Sequence, residues 1–192
     1  MDNQLSFINN RSKIAPQKFA LYVSFVSLVM LFAALTSAYV VRQAGGNWLE
    51  FALPSTFFYS TGVLVASSVT IQLSYYYFKN GNPFLYRSLL SVSFILGLVF
   101  LMLQYQGWLQ LERIGVILTG NPAGSFVYVI SGLHAAHILG GLAAISVAML
   151  HAFLLPYKVN RVRLLRFELT IQYWHFVDIL WIYLLIFLIL QR

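Results

Sequence analysis

Five long apolar runs, over about residues 19–41, 56–78, 87–107, 125–152 and 168–190, are separated by short stretches where charged residues, prolines and glycines collect. Each run covers the ~20 residues that an α-helix needs to cross a ~30 Å hydrocarbon core. None alternates polar and apolar residues over ~10 positions, as a membrane β-strand would. The pattern predicts an all-α, polytopic membrane protein with five transmembrane helices. Residues 1–17 form a polar tail and residues 18–192 the transmembrane domain.

The breaks between runs carry turn chemistry. Gly45-Gly46-Asn47 ends the first helix before a loop in which Trp48 and Phe51 suit the membrane interface, and Pro54-Ser55 starts the second helix. Tyr75-Tyr76-Tyr77 reads as an aromatic belt, followed by the turn Asn80-Gly81-Asn82-Pro83. Residues 108–124 form the longest connection, closed by Gly120-Asn121-Pro122. Its partly amphipathic piece from Leu109 to Leu118 fits either a helix lying on the membrane surface or an irregular loop. The first apolar run is too long, and lacks the small-residue site, for a cleaved secretory signal. No repeat or second domain is visible.

Composition agrees: with 60% hydrophobic and 9% charged residues, the charges are too few to clothe a soluble globule. The net charge of +7 raises nucleic acid as a partner until its placement is considered. Arg11, Lys13, Lys18, Lys79, Arg87, Lys158, Arg161, Arg163 and Arg166 fall on one side of the predicted membrane, and only Arg42, Arg113 and Arg192 on the other. The positive-inside rule then puts the N-terminus in the cytoplasm and the C-terminus outside, with anionic lipid headgroups, not nucleic acid, facing the basic side. Cysteine is absent, which excludes disulfides, thiolate-ligated clusters and copper sites built on a thiolate.

Two features stand out within the helices. In the fourth, Gly132, Ala136, Gly140, Ala144 and Ala148 recur every fourth residue, and Ala34 and Ala38 repeat the spacing in the first. Small residues let helices approach closely in lipid, so a neighbour is expected against this ladder. The second feature is a set of polar groups at membrane depth: His134 and His137 in the fourth helix, and Glu168, Gln172, His175 and Asp178 on a broad face of the fifth. Counting ~1.5 Å per residue, Asp178 lies ~15 Å from one boundary, and His134 and His137 lie ~12 and ~16 Å from the other. Asp178 is therefore expected to face one of these histidines.

Three roles compete for these groups. Haem or metal ligation suits histidine chemistry, but His175 sits ~6 Å off the level of the other two, and His151 lies at a helix end. A proton relay needs a connected chain, and the first three helices offer only serine, threonine, glutamine and tyrosine. Interhelical hydrogen bonds that fix register are favoured, through His134, His137, Glu168, His175 and Asp178. A stand-alone transporter would call for helix breaks in mid-span, yet the prolines fall in loops and helix ends.

The segment Tyr173-Trp174-His175-Phe176-Val177-Asp178-Ile179-Leu180-Trp181, with Glu168 before it, resembles the last-helix signature of subunit III of haem-copper terminal oxidases. Gly132, His134, His137 and Gly140, led in by Asn121-Pro122 and Ser125-Phe126-Val127-Tyr128, resemble a second family motif. Phe32-Ala33-Ala34-Leu35 through Ala38-Tyr39 and Arg42 resembles the first helix that all members share. The likeness runs over nearly the whole chain after residue 18.

The resemblance implies a non-redox subunit of the aerobic respiratory chain in a bacterial plasma membrane. It would pack on the catalytic subunit I beside other oxidase subunits and support proton uptake while the complex reduces oxygen and pumps protons. Haem and copper are expected in the partner subunits and none in this chain, which has room for a structural phospholipid. A five-helix subunit of nitric oxide reductase, a quinol oxidase, and membership of a larger respiratory supercomplex all stay open. Two departures follow from the comparison with the family: with five helices the chain is expected to lack the two-helix arm of the seven-helix members, and Leu28 stands where many members carry an intramembrane glutamate. The basic loop from Lys158 to Arg166 fits a proton-collecting surface, although topology alone explains it. Alkaline phosphatase fused after Gln191 should be active and the same enzyme fused in the loop after Asn80 inactive; the reverse result rejects the orientation.

Overall fold

The computed structural model describes residues 16–157 and 159–191. Residues 1–15 of the expected tail, with Arg11 and Lys13, and also Lys158 and Arg192, lie outside the described residues. Five helices follow in order: α1 Pro16–Ala44, α2 Thr56–Lys79, α3 Pro83–Arg113, α4 Pro122–Leu154 and α5 Arg161–Leu190. All five are long and apolar enough to cross a membrane. Among the described residues there is no strand.

Helix ends follow the turn chemistry of the sequence. Asn82 caps α3 by accepting from the Leu85 amide at 3.3 Å, and Asn121 caps α4 by accepting from the Ala123 amide at 3.0 Å. In each case a proline takes the first helical position, where its missing N–H would have no partner anyway. Gly81 turns the chain between α2 and α3 at φ +77°, a conformation that favours glycine. At the other end of α4, Arg87 Nε donates to the Ala152 carbonyl at 2.8 Å, and the Tyr157 hydroxyl fastens the following loop to the Phe78 carbonyl at 2.6 Å. The amphipathic piece expected from Leu109 to Leu118 does not form a separate surface helix. α3 continues through Arg113 because Leu111 is buried in its seam, and the chain then turns at Gly115.

The helices are apolar all round, so their buried faces are set by packing and not by amphipathicity. On α2 the buried positions include Ser60, Leu64, Ser67, Ile71, Ser74 and Phe78; on α3 they are Tyr86, Leu90, Ser93, Gly97, Phe100, Gln104, Gly107 and Leu111. Steps of four and three alternate throughout, the 3.5-residue repeat that keeps one seam turned to a neighbour in left-handed packing. Small and polar residues on these seams bring α2 and α3 close and tie them. Ser67 donates to the Ser93 carbonyl and Ser74 to the Tyr86 carbonyl, both at 3.0 Å, while Thr70 and Ser93 hydroxyls meet at 2.8 Å.

α3 packs next on α4, and α4 on α5, which closes back onto α2. α1 lies outside this ring against α4 and α5, and its backbone comes close to neither α2 nor α3. At the centre, Trp174 of α5 enters between α3 and α4. A Cβ at Gly97 would lie 2.9 Å from the Trp174 ring and 2.7 Å from Leu142, and one at Gly141 would lie 2.8 Å from the Trp174 ring.

No helix of this chain closes on the small-residue ladder of α4. None of Gly132, Ala136, Gly140, Ala144 and Ala148 is buried, and Ala136, Gly140, Ala34 and Ala38 are exposed. A strict four-residue step drifts about 40° around a helix each time, so five positions fan out instead of forming one seam. The close approach is made by Gly141, one residue off the ladder. Gly97→Ala and Gly141→Ala should each lower thermal stability in detergent by roughly 1–3 kcal/mol through overpacking. Gly132→Ala, whose nearest neighbour would be Trp108 at 4.0 Å, should change it little.

Candidate functional site

The interior polar groups divide between neighbours because successive positions on α5 point to different helices. Glu168 turns to α1, where its Oε1 accepts from Lys18 Nζ at 2.8 Å. Gln172, one turn on, reaches the same Glu168 oxygen at 3.5 Å. His175 turns to α2: its Nδ1 meets the Ser68 hydroxyl, and its Nε2 meets Gln72 Oε1 at 3.0 Å. With the glutamine oxygen as acceptor, Nε2–H donates, so Nδ1 accepts from Ser68. One imidazole thus clamps two groups a helical turn apart on α2.

Asp178 points into the ring of helices between Trp174 and Trp181. It is 4% exposed, and among the described residues neither carboxyl oxygen has a hydrogen-bond partner. The Ser68 hydroxyl, the polar group on the neighbouring α2, gives its hydrogen bond to His175 instead. His134 is fully buried and both ring nitrogens are likewise unpartnered. It stacks on Trp181 with ring centres 4.8 Å apart and meets the Phe100 ring edge-on at 5.8 Å. His137 bonds its own backbone, Nδ1 to the Leu133 carbonyl at 2.7 Å, and lies edge-on to Phe32 of α1 at 5.8 Å. The expected hydrogen bond from Asp178 to His134 or His137 is therefore not made. Trp181, not Asp178, is the α5 side chain that lies against the His134 ring.

Among the described residues no group of three or more His, Asp or Glu side chains comes together as a metal site would require. The groups that do organise the site are Trp174, Trp181, Ser68, Gln72 and Thr61, whose Oγ1 accepts from Trp181 Nε1 at 2.9 Å. Sequence reasoning placed Trp174 and Trp181 in the last-helix motif without a contact role, and missed Ser68, Gln72 and Thr61. The seven-residue recurrence of Ser60, Ser67 and Ser74 was the available signal, since it places polar groups on the buried seam of α2 and so sets which neighbours flank it.

At the end of the bundle marked by Arg87, Arg163 and Arg166, a cavity of about 580 Å³ opens between Phe78, Tyr86, Ala148, His151 and the two α5 arginines. Its walls are mostly apolar and its mouth is basic.

Fold and site together define a five-span helical membrane protein whose ionisable and aromatic groups are engaged with one another across helix seams. Residues 14–191 match the family model described as cytochrome c oxidase subunit III. The cytochrome c oxidase subunit 3 of Corynebacterium diphtheriae is 32% identical, over 94% of this chain and 96% of its own length. That of Bacillus subtilis is 28% identical, over 84% and 76%. The rabbit protein, from Oryctolagus cuniculus, is 28% identical over 65% of this chain and 46% of its own length. The chain belongs to the cytochrome c oxidase subunit III family, and so to a multi-subunit oxidase of the respiratory chain, as a multi-pass protein of the plasma membrane.

His175→Leu should lower thermal stability in detergent by about 1–3 kcal/mol, because it strands Ser68 and Gln72. Asp178→Asn, which breaks no hydrogen bond in the structure, should stay within about 1 kcal/mol of the parent. Equal losses from both would show that Asp178, too, is held by a partner.

Proposed function

We propose that the chain acts as a non-redox subunit that packs on the haem-bearing catalytic subunit I, stabilises it during turnover and supports proton uptake at the cytoplasmic face. The family match over residues 14–191 carries this reading. The site geometry supports a structural role: both nitrogens of His175 and the Nδ1 of His137 are held within the chain. The haem and copper that carry electrons to oxygen belong on this reading to the partner subunits. The names of the relatives favour cytochrome c over quinol as the electron donor.

The basic end of the bundle is taken as the cytoplasmic one, where Arg161, Arg163 and Arg166 raise the local potential around the entry to α5. The cavity between Tyr86, His151 and Arg163 suits a structural phospholipid, its phosphate at the arginines and its chains along the apolar wall.

Affinity purification of the tagged chain in mild detergent should bring down a large subunit with haem absorbance, and depletion of the chain should shorten the time over which the oxidase holds its activity. Absence of the haem-bearing companion rejects the assignment; an unchanged inactivation rate rejects the stabilising role.

A further inference from the structure

α5 is buried by its neighbours along most of its circumference, but not along one strip. Ile179 is 67% exposed, and Ile182 and Ile186 continue the exposed line. At 100° per residue Ile179 stands about 40° from His175 and about 60° from Phe176. His175 bonds α2, while Phe176 stacks on Phe25 of α1 with ring centres 4.2 Å apart. Because the backbones of α1 and α2 stay apart, the strip is the floor of a trough with α1 on one bank and α2 on the other.

The α2 bank has the character of a packing face. Gly62, Ala66, Val69, Leu73 and Tyr76 are all exposed and alternate steps of four and three, the same repeat as the buried seams. A Cβ at Gly62 would meet nothing within 4 Å. Between this face and the floor sits Gln72, exposed, about 10 Å along α2 from its Lys79 end and therefore inside the hydrocarbon layer. His175 fixes the direction of the Gln72 amide by donating to its oxygen, and among the described residues nothing accepts from the amide nitrogen. Two N–H donors thus face the trough at a depth where acyl chains offer no acceptor and each unmet polar group carries a desolvation cost.

We propose that this trough receives a transmembrane helix of another oxidase subunit, which lies along Gly62, Ala66, Val69 and Ile179 and presents a hydrogen-bond acceptor to the Gln72 amide. The inference rests on the chain being an oxidase subunit and adds which face is covered. A lipid would fill the apolar floor but leave the amide unmet. The His175 clamp accordingly does two things: it holds α5 to α2, and it turns the Gln72 donors outward.

The test uses the intact oxidase in native membranes, with the photoreactive residue p-benzoylphenylalanine in place of Val69. Irradiation should yield a product in which this chain is joined to another subunit of the same oxidase, identified by mass spectrometry. In parallel, Gln72→Leu should make that subunit dissociate in detergent roughly tenfold faster, the scale of one hydrogen bond in a dry interface, while the helical content of the chain stays unchanged. Adducts with lipid alone, a crosslink to a second copy of this chain, or unchanged dissociation each overturn the proposal. If the parent chain fails to bring down any haem-bearing subunit, the oxidase reading fails before this one is tested, so the two failures are separable.

Discussion

Trp174 reaches from α5 between α3 and α4, and each of those helices meets it with a glycine. Gly97 and Gly141 leave room for the indole that no side chain would, since an added Cβ would stand within 2.9 Å of the ring on either side. In lipid there is no hydrophobic force between helices, so association depends on contact area and on hydrogen bonds. A fully buried tryptophan gripped by two backbones gives the largest contact a single residue can make here. The other interior contacts of α5 follow from this insertion. Once Trp174 is seated, Trp181 falls two turns on against His134, Phe100 and Thr61, and His175 falls beside Ser68 and Gln72.

The polar groups add direction to that packing. Aromatic contacts tolerate small slips along the helix axis, but a hydrogen bond from Trp181 to Thr61 and a two-sided bond from His175 to Ser68 and Gln72 do not. Together they fix the register of α5 on α2 at two levels. The serines of the α2–α3 seam do the same for the hairpin. Asp178 and His134 stand apart from this scheme, because both are buried and neither has a hydrogen-bond partner.

Much of the architecture was legible in the sequence, for a plain reason: membrane spans are defined by length and hydrophobicity, and the five runs have both. The turns before α3 and α4 were legible because asparagine, glycine and proline act locally, but both helices begin at the proline that closes the turn, ahead of the apolar runs read from residues 87 and 125. Which face of each helix is buried was much harder to read, since the lipid side and the protein side are equally apolar. The α4 ladder illustrates this. Its regular spacing suggested a buried face, yet burial selects positions near a 3.5-residue repeat and takes Gly141 instead of Gly140. The expected Asp178–histidine hydrogen bond failed differently: Asp178 and His134 are both buried, but Trp181, three residues on from Asp178, is the side chain that lies against the His134 ring. The last-helix motif was legible as a family mark, but the clamp made by His175 depends on Ser68 and Gln72, which no motif joins to it.

α1 shows what happens where the seam chemistry is absent. It carries no serine or glycine line against its neighbours and is fastened at intervals instead: the Lys18–Glu168 ion pair at one end, the Phe25–Phe176 stack, the Thr36–Tyr183 hydroxyl contact at 3.3 Å, and Tyr39 and Gln43 donating to the Gln191 carbonyl at the other end. Most of its residues are exposed, and only Leu28, Phe32, Thr36 and Tyr39 are buried. The ring of four helices closes through its own hydrogen-bonded seams and not through α1. The converse does not hold, since the fastenings of α1 to other helices end on α4, α5 or the residue that follows α5. The order of dependence runs from the Trp174 insertion to the α2–α5 ring and only then to α1, so α1 is the helix that surroundings beyond this chain have most scope to position.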